Sequence, residues 1–68
     1  MECGYKMSNK EAYNLGQMVG ERVKMGLRPL VIVLKLPLPR GIIPHSSQAM
    51  AYRLGYLDEL RGRVTIIR

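Results

Sequence analysis

The order of helical and strand-like segments predicts an α+β fold, or a small α/β fold, in which two helices pack on one face of a two- or three-stranded sheet. Two segments with helical periodicity each begin at a capping serine. Two β-branched runs, at residues 30–36 and 63–68, follow them, and a weaker third strand is predicted at residues 3–7. The order is therefore (β)αβαβ. So small a sheet has open edges, and its completion in a homodimer is left as an alternative.

The first helix is predicted over residues 9–25. Ser8 and Glu11 have the spacing of a capping box, in which each side chain bonds to the other residue's amide. Gly26 stands where a left-handed residue ends many helices. Apolar residues recur between these ends at helical spacing, at Ala12, Leu15, Val19 and Val23.

Two glycines interrupt this helix, although each costs about 1 kcal/mol relative to alanine in a helix interior. Gly16 and Gly20 follow Ala12 at intervals of four residues. The spacing predicts close approach by another backbone. That backbone belongs either to the sheet of the same chain, which we favour, or to a second subunit.

A central strand is predicted over residues 30–36, between Pro29 and Pro37. Alternation directs one set of side chains towards the helices and the other away from them. The first set is Leu30, Ile32, Leu34 and Leu36, and the second is Val31, Val33 and Lys35. Residues 37–45 contain three prolines and are predicted to form a loop.

The second helix is predicted from Ser46 or Ser47 to about Leu60, with Gly62 as its end. Its inward stripe is predicted to be Met50, Leu54 and Leu57, flanked by Ala49, Tyr56 and Leu60. The terminal strand at residues 63–68 then completes a single domain over residues 1–68.

The residues that carry most enzyme chemistry are scarce. The chain has one cysteine and one histidine, which cannot build a zinc site, and its five acids show no paired-carboxylate pattern. We therefore expect no catalytic residue, no metal site, no cofactor and no enzymatic activity. No leader peptide or membrane-spanning run is evident, so a cytoplasmic protein that does not bind membranes is expected.

The charge is concentrated in one part of the chain. The formal net charge is +6, and no acid lies between Glu21 and Asp58. Six cations occupy that stretch: Arg22, Lys24, Arg28, Lys35, Arg40 and Arg53. A localised positive field favours nucleic acid, DNA or RNA, bound through its phosphates without sequence preference.

The candidate anion site lies at the start of the second helix. Arg40, Gly41, His45, Ser46 and Ser47 would combine a guanidinium and two hydroxyls with the positive end of a helix dipole. The structural alternative is a serine cap beside a solvated arginine and a loop histidine. Further phosphate contacts are predicted from Lys35, Arg53, Arg63 and Arg68.

Tyr52 and Tyr56 share one side of the second helix beside Arg53, where they either stack on bases or cover the edge of the core. The alternative function is a small protein-interaction module or inhibitor that docks on an acidic partner protein. The glycine-lined helix and the open sheet edges favour this alternative.

Overall fold

The computed structural model describes residues 7–67, which form two helices packed against each other with no β-strand among them. Helix α1 spans Asn9–Lys24 and helix α2 spans Ser47–Arg61. A single 3₁₀ turn, Val33–Lys35, interrupts an otherwise irregular connection. The predicted α+β fold is therefore wrong. Residues 30–36 and 63–67 are not strands, and residues 3–6 and Arg68 lie outside the described residues.

Both ends of α1 form as predicted. The amide of Glu11 donates to Ser8 Oγ at 3.1 Å, and the Ser8 amide donates to Glu11 Oε1 at 2.9 Å. Gly26 adopts a left-handed conformation with φ of 80°, and the next amide, that of Leu27, donates to Arg22 O at 2.9 Å. The capping box and the glycine end are confirmed because short-range hydrogen bonds determine both.

Both ends of α2 also form as predicted. Ser46 is the N-cap, and its hydroxyl accepts a hydrogen bond from the Ala49 amide at 3.2 Å. Gly62 has a φ of 73°, and the Arg63 amide donates to Asp58 O at 2.7 Å. The serine cap satisfies an amide at the start of the helix, and the Arg63 amide satisfies a carbonyl group at its end.

The two helices run parallel. At their starts, Ser47 Oγ donates to Asn9 Oδ1 at 3.2 Å. At their ends, Lys24 Nζ lies 3.5 Å from Glu59 Oε2 and 3.2 Å from Glu59 O. Since α2 begins where α1 begins, the connection at residues 25–46 must run back along the length of the pair.

Glycines bring the helix backbones into contact. A Cβ atom added at Gly16 would overlap the carbonyl oxygen of Tyr52, and one added at Gly55 would overlap the carbonyl oxygen of Tyr13. At Gly20 the added atom would lie 2.9 Å from Tyr56 O. The predicted close approach is confirmed, but the approaching backbone is that of α2, not a sheet or a second subunit.

Three tyrosines supply most of the volume of a small core. The buried apolar residues are Ala12, Tyr13, Leu36, Ile42, Ala49, Ala51, Tyr52 and Tyr56. The predicted inward face of α2 is correct only in part. Met50 is 70 % exposed and Leu57 is half-buried outside the core, but Ala49 and Tyr56 are buried, and Leu54 and Leu60 pack against the core. Close backbone approach lets small residues line the contact, with tyrosine rings filling the space beside it.

Tyrosine hydroxyls form hydrogen bonds with backbone groups in both segments that were predicted as strands. Tyr56 Oη donates to Val31 O at 2.7 Å and accepts from Val31 N at 3.1 Å. The Thr65 amide donates to Tyr13 Oη at 2.7 Å. In a sheet, these backbone amide and carbonyl groups would form hydrogen bonds with a neighbouring strand. Here the tyrosine hydroxyls of the helices supply hydrogen-bond partners for them instead. The predicted alternation fails as well, since Leu30, Ile32 and Leu34 are exposed.

Candidate functional site

The serines of the predicted anion site are engaged within the protein. Ser46 caps α2 and its hydroxyl also donates to Ile43 O. Ser47 Oγ donates to Asn9 on the neighbouring helix. The positive end of α2 is therefore covered partly by its own cap, as the structural alternative expects.

The other residues of this loop face solvent. Arg40, Gly41 and His45 are exposed, and both Gly41 and His45 have positive φ angles, of 92° and 65°. Lys35 is exposed at the end of the 3₁₀ turn. The side chains of Lys35, Arg40 and His45 are therefore available to an anion in solution.

The remaining predicted cations lie in different surroundings. Arg53 is half-buried on a largely apolar face of α2. Arg63 is exposed near Asp58, where its charge helps to lower the pKa of that carboxyl group. Arg68 lies outside the described residues.

A cleft between α1 and the connection brings two arginines together. Arg22 and Arg28 both line it, along with Tyr52 and a wall of Leu15, Val19, Pro37, Leu38 and Pro39. Its volume is about 330 Å³, and no acidic side chain lines it. Both guanidinium groups are exposed, and neither forms a salt bridge with a described residue. An anion in this cleft could accept hydrogen bonds from the guanidinium groups of both arginines.

The turn at Gly26 explains why the two arginines meet. The chain turns at this left-handed residue directly after α1, and the Leu27 amide bonds back to Arg22 O, so that Arg28 and Arg22 line the same cleft. Sequence reasoning counted Arg22 and Arg28 among six cations of the acid-free stretch but did not place them in one cleft. The signal was present, because both arginines lie in the acid-free stretch on either side of a predicted left-handed glycine.

Tyr52 places a phenol at this cleft. Its ring is buried, and burial raises the pKa of the phenol, while the nearby positive charge of Arg28 opposes that rise. The hydroxyl makes no hydrogen bond to a described residue. A neutral phenol beside two guanidinium groups adds a third donor for a bound oxyanion.

The stacking role suggested for the tyrosines of α2 is wrong. Tyr52 and Tyr56 are 4 % and 1 % exposed, so neither ring face is open to a base. Tyr56 Oη is also fully engaged with Val31. Both side chains are core residues, as the alternative interpretation expected.

No group of three or more metal-binding side chains from histidine, cysteine, aspartate and glutamate occurs within residues 7–67. Neither helix in this part of the chain has the length and apolar character required to cross a bilayer.

No family model, curated protein or solved structure matches this chain.

Proposed function

We propose that the chain is a small basic protein that binds nucleic acid through backbone phosphates. The observation that carries this proposal is the acid-free cleft shared by Arg22 and Arg28, with the Tyr52 hydroxyl beside them. Guanidinium groups match phosphate oxygens in geometry as well as charge. We place this activity in the cytoplasm, as part of a larger nucleoprotein assembly.

Cations of the connection extend the surface beyond the cleft. Lys35 and Arg40 are exposed, and neither pairs with an acid among the described residues. His45 is exposed close to the start of α2. A phosphate backbone that enters the Arg22–Arg28 cleft would meet these groups as secondary contacts, which favours several phosphate contacts per bound molecule.

Contacts to phosphate without base stacking predict binding that is indifferent to sequence. The three tyrosines of the helices, Tyr13, Tyr52 and Tyr56, are buried. Phosphate contacts position a protein on nucleic acid but carry no sequence information. DNA and RNA of equal charge density are therefore expected to bind with similar affinity.

The test is a salt titration against duplex DNA, RNA and polyglutamate. The variant Arg22→Gln with Arg28→Gln should bind nucleic acid roughly tenfold more weakly, with a salt slope reduced by about 2, because each lost phosphate contact releases about one counterion fewer. The matched control, Lys10→Gln with Arg61→Gln, removes the same charge from exposed helix positions. Equal losses for the two variants, or equal binding of all three polymers, would contradict the proposal.

A second candidate function is a protein-interaction module that docks on an acidic partner. The specific observation is the amount of exposed apolar surface: Met25, Leu27, Leu30, Ile32, Leu34, Ile43, Met50, Val64 and Ile66 are each more than half exposed. Surfaces of this kind in small proteins mark interaction sites. The partner in this candidate is another protein, with a second copy of the chain as the alternative.

A further inference from the structure

An apolar groove runs along α2 and reaches Asn9, the first residue of α1. Met50, Leu54 and Leu57 form one wall at helical spacing, and Val33 and Ile67 face them from the connection and the C-terminal segment. The groove has a volume of about 510 Å³ and no acidic side chain lines it. We call it the α2 groove.

Arg53 is the unsatisfied polar group of the α2 groove. Its Nε atom is shielded from solvent and has no hydrogen-bond partner. The polar side chains at one end of the groove, Asn9 and Ser47, are already bonded to each other. No acid lines the groove to balance the positive charge of Arg53, so an anionic group on a ligand would complement the rest of the guanidinium.

We propose that the α2 groove binds an amphipathic helix of a partner protein that carries a carboxylate among its apolar side chains. The carboxylate would pair with Arg53, while the apolar side chains cover Met50, Leu54 and Leu57. This proposal deepens the second candidate function and does not depend on nucleic-acid binding.

A helix is the form of partner that the groove favours. Apolar side chains on a helix recur every three or four residues, which matches the spacing of Met50, Leu54 and Leu57. A helical segment also satisfies its own backbone hydrogen bonds, so it can lie against an apolar surface without further donors or acceptors.

Charge excludes a second copy of this chain as the symmetric occupant. A two-fold interface contacts the same patch on both subunits. Here it would bring together two Arg53 side chains with no acid from the lining to neutralise them. An acidic partner removes this repulsion and supplies a negative charge that complements Arg53.

The test uses the full chain and two synthetic helical peptides, both capped at their termini. One has leucines at positions i, i+3, i+4 and i+7 with adjacent glutamates, and the other replaces each glutamate by lysine. Affinity is measured by calorimetry, and the methyl resonances of Met50 and Leu54 locate the bound peptide. Helical content of every variant is checked by circular dichroism.

The glutamate peptide should bind at least tenfold more tightly than the lysine peptide, and Arg53→Gln should reduce its affinity roughly tenfold, since a charge-assisted hydrogen bond is lost. Arg28→Gln removes the same charge outside the groove and should change that affinity less than about twofold. Arg53→Lys keeps the positive charge but loses the forked guanidinium, so its affinity for the glutamate peptide should lie between those of Arg53→Gln and Arg28→Gln.

Three results would overturn the proposal. The first is equal binding of the two peptides, and the second is a loss of peptide affinity in Arg28→Gln equal to that in Arg53→Gln. The third is a dimer shown by light scattering, together with Met50 methyl resonances that place this side chain in the dimer interface. The DNA titration of the same proteins tests the nucleic-acid proposal separately. If the unmodified chain binds DNA but not the glutamate peptide, the groove proposal alone is rejected, and if it binds the peptide but not DNA, phosphate binding alone is rejected.

Discussion

The phenol of Tyr13 on α1 donates a 2.8 Å hydrogen bond to Oδ2 of Asp58 on α2, which is only 5 % exposed. The same oxygen accepts from Thr65 Oγ1 at 2.6 Å. These interactions lower the pKa of Asp58: the hydrogen bond from Thr65 is the largest favourable cause, and the hydrogen bond from Tyr13 and the charges of Arg63 and Arg61 add to it. A charged carboxylate thus joins both helices to the C-terminal segment.

Acid should weaken the fold through Asp58. Its pKa is lower in the folded protein than the ordinary value of 3.8, so the ionised form stabilises the native state. This contribution is fully present above about pH 4 and is lost as the pH falls through the lower, folded pKa. Urea unfolding at pH 7 and at pH 3 should show a smaller free energy of unfolding at the acidic pH.

The control for that experiment is Asp58→Asn. At pH 7 this variant should be about 1 kcal/mol less stable than the wild type, because its hydrogen bonds are no longer charge-assisted. The gap between the two proteins should narrow as the pH falls. A gap that stays constant down to pH 3 would show that Asp58 is not the titrating group.

Replacement of Gly16 by alanine should destabilise the protein by about 3 kcal/mol, because the new methyl group overlaps the Tyr52 carbonyl and must push the helices apart. Gly26→Ala is the matched comparison. It has no neighbour within 4 Å, and its left-handed φ alone should cost about 1 kcal/mol.

Thermal unfolding followed by circular dichroism measures both glycine variants. Gly20→Ala provides an intermediate case that still folds, since its new atom would lie 2.9 Å from Glu59 Cβ and Tyr56 O. The expected order of melting temperatures is Gly26→Ala highest, then Gly20→Ala, then Gly16→Ala. The opposite order would argue against backbone contact at the helix crossing.

Loss of the Tyr56 hydroxyl should release the connection from the helices. Tyr56→Phe removes two hydrogen bonds to Val31 and leaves its amide and carbonyl unpaired, which costs on the order of 2 kcal/mol. Hydrogen exchange at the Val31 amide and limited proteolysis within residues 25–46 should both accelerate.

Tyr52→Phe is the natural control for that variant. The Tyr52 hydroxyl has no hydrogen-bond partner among the described residues, so its removal should change stability by less than about 0.5 kcal/mol. If the two phenylalanine variants open the connection equally, the bonds to Val31 do not hold it in place.

Local interactions account for what the sequence could predict. The ends of both helices depend on partners within a few residues, such as Ser8 with Glu11 and Ser46 with Ala49, and these were predicted to within one residue. The glycine spacing in α1 correctly indicated close approach. Gly55 was missed, although Ala51 precedes it by four residues, as Gly16 precedes Gly20.

Nonlocal pairing accounts for the errors. Residues 30–36 have the composition of a strand, but strand preference has little effect without a neighbouring strand to pair with. Tyr56 and Tyr13 supply those backbone partners from the helices instead. The inward face of α2 was misassigned in part, and for a related reason: tyrosine can be buried when its hydroxyl finds a partner, and sequence alone does not show that partner.

The same limit applies to the candidate site. The acid-free stretch indicated a basic surface, yet the residues that meet in one cleft are Arg22 and Arg28, not those of the loop at residues 40–47. Their proximity depends on how the chain reverses after Gly26 and on where Tyr52 packs. Neither follows from spacing alone.

The parallel arrangement of the helices also constrains how this chain folds. Each helix can form locally and quickly, but a short turn cannot connect two helices that lie side by side in parallel. Residues 25–46 must close into a loop before Gly16 can meet Tyr52. This closure costs conformational entropy, and contacts between the helices do not offset that cost until the loop has closed. The two hydrogen bonds between the Tyr56 hydroxyl and Val31 shorten this loop, so the folding rate should depend on that hydroxyl as well as on the backbone contact at the glycines.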